Sequence, residues 1–438
     1  MTPLEFLQEE QKSVDRALKE TLRREYADSQ HHDFYTECST RLARVGIAID
    51  GIQANDSQAI SSNLTELNKI AAWISLNERS YLGEFSWPFA QELRNFAMAL
   101  LKGVHFDANK QSPIIQIISE SSYLILNEAL EPQAVADQCF VVIQFPRSLK
   151  YHVLLHAIFG HELGHAAWDS PITGDSLKTL VSAPLFDAGP LSGVAAMDAW
   201  LRRKDAPEYI SKVASLFDPL KGEFIFKDEF RKKWQVEFVA DLCGLVLFGP
   251  AFAAAFIALL KAKHPQPMFI NLADPTHPPF ACRLSAIQQA MKILGWDRAI
   301  TPSSNERLRH SERDLLTYIF GASAPAWAQI FTVTQIQDAL QGIRSVFGEN
   351  AYAPPEFTRL DTLVERLVNI TPPVLADVRS DGTPELSKIP FTQMLYAGWV
   401  FWIGRGRFNL REPVTFFDIN RLCNHAMIQQ QAINMFAP

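Results

Sequence analysis

Apolar positions recur at helical spacing over most of this chain and give way to β-type runs in one stretch. Leu4, Leu7, Val14, Leu18 and Leu22 recur near helical spacing with charges between them. Phe34–Ile49, Ile60–Ile74 and Phe85–Leu101 continue the pattern, interrupted at Asn55-Asp56 and Ser86-Trp87-Pro88. Residues 1–108 therefore read as a helical bundle or cap. The period then changes. Ile114–Ile118, Tyr123–Leu126 and Phe140–Phe145 are short β-branched runs bounded by turn residues, and they predict three strands. A sheet edge can pair with an extended peptide. Phe140–Phe145 is the candidate edge, with a central, covered strand as its alternative.

Helical spacing returns at Tyr151–Trp168, a run with one Glu and no Asp, Lys, Arg or Pro, which predicts a largely buried helix. Ser176–Val181, Val194–Arg203 and Ala206–Phe217 read as helices around a loop at Asp187–Gly193 near the cleft. Beyond Trp296 the spacing predicts Glu306–Phe320, Thr334–Phe347, Phe357–Val368, Pro390–Ile403 and Asp418–Met435. Pro354-Pro355, Pro372-Pro373 and Ser380-Asp381-Gly382 separate them. The expected class is α+β and predominantly helical, in three regions: 1–108, 109–300 and 301–438.

One segment tests whether the chain enters a bilayer. Cys243–Leu260 carries no charge and reaches the roughly 18-residue length of a membrane-span candidate. Gly249-Pro250 interrupts it, so two buried helices are expected, the second beginning at Pro250. The chain has 438 residues, 47% hydrophobic and 20% charged, with a net charge of −7. That describes an ordinary globular protein with no general attraction to nucleic acid or anionic membrane. Arg405, Arg407 and Arg411 near Phe408 form a small basic cluster, read as a solvated turn. Five dispersed cysteines without a C-x-x-C pair, and an acidic start lacking a secretory pattern, place the expected location in the cytoplasm.

The chemistry begins at His161-Glu162-Leu163-Gly164-His165. Histidines four apart lie on one helix face, so both imidazoles can reach one zinc ion, with Glu162 beside the water that zinc activates. A buried helix does not carry two His and a Glu without partners. Gly160 and Gly164 each cost about 1 kcal/mol against Ala in a helix interior, which points to close backbone packing. The third ligand should come from another element. Glu237 and Asp241 share a face of the apolar run Trp234–Cys243, where two acids need a cation or donors. A zinc site gives both a role: Glu237 on the metal, and Asp241 accepting the second ring N–H of a ligand histidine. A salt-bridged pair with Arg231, Lys232 and Lys233 is the alternative. Finally, Thr276-His277-Pro278 is followed by Arg283, two donors that could meet an oxyanion near the metal; a helix start with Pro278 near its first turn is the alternative. His152 and His156 are offset from His161 and read as surface or core histidines.

Together, H-E-x-G-H, E-x-x-A-D and T-H-P-x-x-x-x-R resemble the CAAX-prenyl-protease-like and HtpX-like gluzincin metallopeptidases, over roughly residues 110–295. The resemblance implies His161, His165 and Glu237 as zinc ligands, Glu162 as general base, and Asp241 as the outer partner of a ligand histidine. It implies His277 and Arg283 near the substrate, and a zincin-type core with a small sheet over the active-site helix. It departs in the long stretch between His165 and Glu237, and in lacking evident membrane spans. The expected activity is zinc-dependent hydrolysis of a peptide or protein substrate, with a regulatory protein partner on the helical regions as a further candidate. The alternatives are a non-catalytic zincin-fold scaffold or sensor, and a conditionally activated protease of a stress or phage-defence system.

Overall fold

The computed structural model describes residues 2–21, 30–81, 86–105, 114–120, 123–128, 140–169, 228–263, 277–278, 280–298, 305–321, 328–329, 331–378 and 384–436. They are mostly helical. The helices and loop expected between Trp168 and Asp228 lie outside them. The chain forms two compact units: Met1–Trp87 with Asn109–Lys150, and Pro88–Ala108 with Tyr151–Pro438. These units interleave in sequence.

In the first unit, helices α1 (Pro3–Thr21), α2 (Gln30–Asp50) and α3 (Ser57–Tyr81) pack through Leu7, Val14, Leu18, Phe34, Leu42, Leu67, Ile70 and Trp73. Strands β1 (Ile114–Glu120), β2 (Leu124–Glu128) and β3 (Phe140–Pro146) form a sheet in the order β1-β3-β2, with β1 packed against α2 and α3. Strand β3 pairs with β1 in parallel and with β2 antiparallel. Phe140–Phe145 is thus the central strand and not the edge. The run is almost continuously apolar, and Val142, Ile143 and Phe145 are buried.

The second unit holds α4 (Trp87–His105) from Pro88 onward, and then the segment expected to be one helix from Tyr151. Only its second half is α-helical. A 3-10 turn at Leu155–Ile158 leads into α5 (Phe159–Asp169). Helices α6 (Asp228–Phe248) and α7 (Pro250–Lys263) follow, divided where expected. Gly249 adopts φ +60°, its N–H bonds Leu245 O at 2.8 Å, and Pro250 opens the next helix. The stretch is buried from Cys243 to Ile257, and among the described residues no helix is long and apolar enough to cross a membrane.

Then come α8 (Phe280–Ile293), α9 (Glu306–Gly321), α10 (Val333–Phe347), α11 (Phe357–Val368), α12 (Phe391–Gly404) and α13 (Phe416–Phe436). Two of these begin slightly earlier than the apolar spacing suggests, because polar caps set their starts. Thr332 and Gln335 form a capping box before α10, and the Thr415 hydroxyl accepts from Asp418 N–H at 3.2 Å before α13. A hairpin of β4 (Leu375–Val378) and β5 (Pro384–Ser387) was not expected. Arg407 in the basic cluster makes a two-point ion pair with Asp314 at 2.8 and 2.9 Å, and Arg405 stacks on Trp402.

Candidate metal centre

Three helices of the second unit build the site, and glycine makes the first contact between them. A Cβ at Gly160 would stand 2.7 Å from Gly244 Cα, and one at Gly164 would stand 2.7 Å from Ala240 Cα. Carbon atoms rest about 3.5–4.0 Å apart, so α5 and α6 touch through their backbones only because these positions lack side chains. The close approach expected from Gly160 and Gly164 is present. Its partners, Ala240 and Gly244, carry the same four-residue spacing in the sequence.

This crossing sets the four-apart histidines of α5 against the four-apart acids of α6. His161 Nε2 and His165 Nε2 lie 3.0 Å apart, with their rings perpendicular. Glu237 Oε2 is 3.5 Å from His161 Nε2, and Glu237 Oε1 is 3.3 Å from His165 Nε2. These three residues form the group of His, Cys and acidic side chains among the described residues able to hold a metal ion. Glu237 Oε2 is buried without a hydrogen-bond partner among the described residues, although Arg283 Nη1 stands 3.2 Å away.

A second layer holds the first. Asp241 is fully buried, and its Oδ1 lies 2.9 Å from His161 Nδ1. A carboxylate only accepts, so Nδ1 carries the proton and His161 Nε2 presents its lone pair to the cluster. Arg283, from α8, donates to the same carboxylate through Nε and Nη2, each at 2.7 Å. Its Nη2 also lies 3.3 Å from His161 Nδ1, both donors sharing Oδ1. The guanidinium rests over the Phe256 ring at 5.1 Å. Its donors therefore face Asp241 and Glu237. His277 joins from the other side, with Nε2 3.6 Å from Glu237 Oε1 and a side chain 58% exposed.

The electrostatics follow from burial and this guanidinium. Burial alone would raise Glu237, but Arg283 and the two histidines outweigh it and hold the carboxyl far below its usual range. Asp241 shows the same contest and the same outcome, with Arg283 and His161 as partners. Burial pulls His165 down, yet the Glu237 carboxylate more than restores it and leaves it raised. Glu162, half-buried in the first turn of α5, is pushed up, chiefly by burial, against the pull of His161 and His165. Of the alternative partners for the acids, Arg231 and Lys232 lie outside the side chains described, and Lys233 is exposed.

All seven residues singled out in the sequence thus converge on one locus. His156, by contrast, is buried against Phe89 and Phe159, and the half-buried His152 packs against Phe416 and Phe417. Comparison with protein-family models, characterised proteins and solved structures finds no match.

Proposed function

We propose that this chain is a zinc-dependent metallopeptidase with its centre at His161, His165 and Glu237, and that a zincin-type core goes with this activity. The supporting observation is the spacing of the three donor groups: 3.0, 3.3 and 3.5 Å. Tetrahedral zinc with bonds of about 2.0–2.1 Å separates its ligand atoms by roughly 3.3 Å, so the donors need only small shifts to hold the ion. The charge agrees. Glu162, Glu237 and Asp241 face one guanidinium, a formal excess of two negative charges that a divalent cation balances.

Zinc held there supplies a Lewis acid and lowers the pKa of adjacent water. Glu162 accepts the proton of the attacking water and passes it to the leaving amine. Burial has raised its affinity for that proton, as a group that both takes and returns one requires. Asp241 fixes the tautomer and ring orientation of His161. Arg283 is engaged with the carboxylates, which leaves the exposed His277 as the donor within reach of a carbonyl oxygen on the substrate.

The test is zinc content together with cleavage of a dye-labelled unfolded protein. Wild type should carry one zinc per chain and cleave. Glu162→Gln should keep the zinc and lose activity by about 10²–10⁴-fold. Wild type without zinc would sink the centre. Zinc without cleavage would favour the scaffold or sensor alternative, and cleavage unchanged in Glu162→Gln would remove Glu162 as the base.

A further inference from the structure

Leu154, just upstream of the metal helix, has both of its backbone polar groups held by side chains from distant helices. Its N–H donates to Asn420 Oδ1 at 2.8 Å, and its carbonyl accepts from Trp399 Nε1 at 3.1 Å. Leu154 and Asn420 are fully buried, and Trp399 nearly so. Asn420 is itself fixed, since its Nδ2 donates to Phe416 O at 2.7 Å. The Leu154 side chain sits on Gly398, where a Cβ would come within 2.6 Å of it.

The apolar spacing of Tyr151–Trp168 favours one continuous α-helix. A helix running through Leu154 would need its N–H for the helical ladder, and Asn420 has taken that donor. The chain instead makes tight turns, with Leu155 N–H on His152 O and His156 N–H on Val153 O. The α-helix then begins at Phe159, which places Glu162 in its first turn and His161 beside it. Buried side chains that satisfy backbone groups are costly to lose, so the start of the helix is strongly specified.

We propose that Asn420 and Trp399 are positioning residues for the metal centre: by clamping Leu154 they fix where the helix carrying His161, Glu162 and His165 begins. The inference rests on the metal reading above. The C-terminal helices α12 and α13 thereby become part of the machinery that sets ligand geometry.

The experiment compares wild type, Asn420→Ala, Trp399→Phe and Leu422→Ala. Trp399→Phe keeps an aromatic ring and loses only the donor, so it serves where Asn420→Ala fails to fold. Leu422 is a buried neighbour on the same helix that makes no hydrogen bond to Leu154. Three readouts are taken: amide exchange over residues 154–161 in metal-free protein, zinc affinity by chelator competition, and the absorption spectrum of the cobalt(II)-loaded protein. In the two clamp variants, exchange over 154–161 should accelerate by roughly tenfold or more. Zinc should weaken by roughly threefold to tenfold, less than for loss of a direct partner of a ligand, and the cobalt bands should shift. Leu422→Ala should change zinc affinity by less than about twofold and leave the cobalt bands in place. Unchanged exchange over 154–161 in both clamp variants overturns the clamp. Wild-type zinc uptake with unaltered affinity in those variants, or an equal loss in Leu422→Ala, overturns the positioning role alone. A wild-type protein that takes up no zinc overturns the metal reading and this inference with it.

Discussion

Gly164→Ala sets two effects of opposite sign against each other. In an open helix the change stabilises by about 1 kcal/mol, the cost of Gly against Ala. Gly164, however, faces α6. The new methyl would stand 2.7 Å from Ala240 Cα, 2.9 Å from Cys243 Cβ and 3.1 Å from Ala240 O. Two of these are backbone atoms and the third is a Cβ, so no flexible side-chain end can swing away. Carbon contacts relax at about 3.5–4.0 Å, which means the helices must part locally by roughly 1 Å. Such overpacking costs about 1–3 kcal/mol, enough to cancel or exceed the propensity gain. The larger effect falls on the metal. His161 and His165 ride on α5 and Glu237 on α6, at 3.5 and 3.3 Å. An opening of roughly 1 Å exceeds the ±0.2 Å or so that metal–ligand distances tolerate.

The assay is chelator-competition zinc affinity alongside urea unfolding of the metal-free protein. Gly164→Ala should weaken zinc by at least about tenfold and leave the urea midpoint level or lower. Gly321→Ala is the control: a Cβ there meets nothing within 4 Å, so it should be neutral or slightly stabilising with zinc affinity unchanged. A Gly164→Ala protein stabilised by about 1 kcal/mol, with wild-type zinc affinity, would refute the close crossing as the device that sets ligand distance.

Asp241→Asn keeps the volume but loses the charge that holds His161 and Arg283, and should weaken zinc by about 10–100-fold; wild-type affinity would remove Asp241 from that role. Glu237 and Asp241 have folded pKa values below their unfolded ones, so their stabilisation is complete above about pH 4 and lost as pH falls through the folded values. The urea midpoint of the metal-free protein should accordingly drop in acid. Arg283→Met removes the guanidinium that two buried carboxylates share, about 3–5 kcal/mol at pH 7. That cost should shrink as acid protonates them, and a cost independent of pH would refute the pairing.

The residues of the candidate centre were legible because their types are costly in their context. Two histidines and a glutamate in an uncharged run, and Glu237 with Asp241 on an apolar helix, announce partners before any fold is known. The break at Gly249-Pro250 was equally legible, since αL glycine before proline ends one helix and starts another. What the sequence hides is tertiary competition. Nothing in Tyr151–Trp168 signals that Asn420 and Trp399 will take the backbone groups of Leu154, so the predicted helix started too early. The position of β3 was hidden because its apolar run fits an edge or a centre equally well. The β4–β5 hairpin escaped because four-residue strands with acids and a proline are too short to show a period. Phe89 packs its ring against those of His156, Phe159 and Phe391, and residues 88–108 belong to the unit that follows the sheet.

Arg283 bears on what happens when metal is withdrawn. Buried carboxylates without a counterion would destabilise the fold by several kcal/mol, and a centre built only for zinc would then unfold on chelation, as small zinc domains do. Here the guanidinium already balances part of the charge, holding Asp241 at two points and standing 3.2 Å from Glu237. The contact of α5 with α6 is made by Gly160, Gly164, Ala240 and Gly244 and needs no ion. Chelation should therefore lower the unfolding midpoint by the binding linkage alone, about 2.7 kcal/mol when free zinc had stood at 100 times Kd, with helical circular dichroism unchanged at 25 °C. In Arg283→Met the same treatment should remove the metal after the guanidinium is already gone, and the site helices should lose protection from amide exchange. If wild type unfolds on chelation, or if the variant withstands it equally well, Arg283 is not the cation that holds the site in the absence of metal.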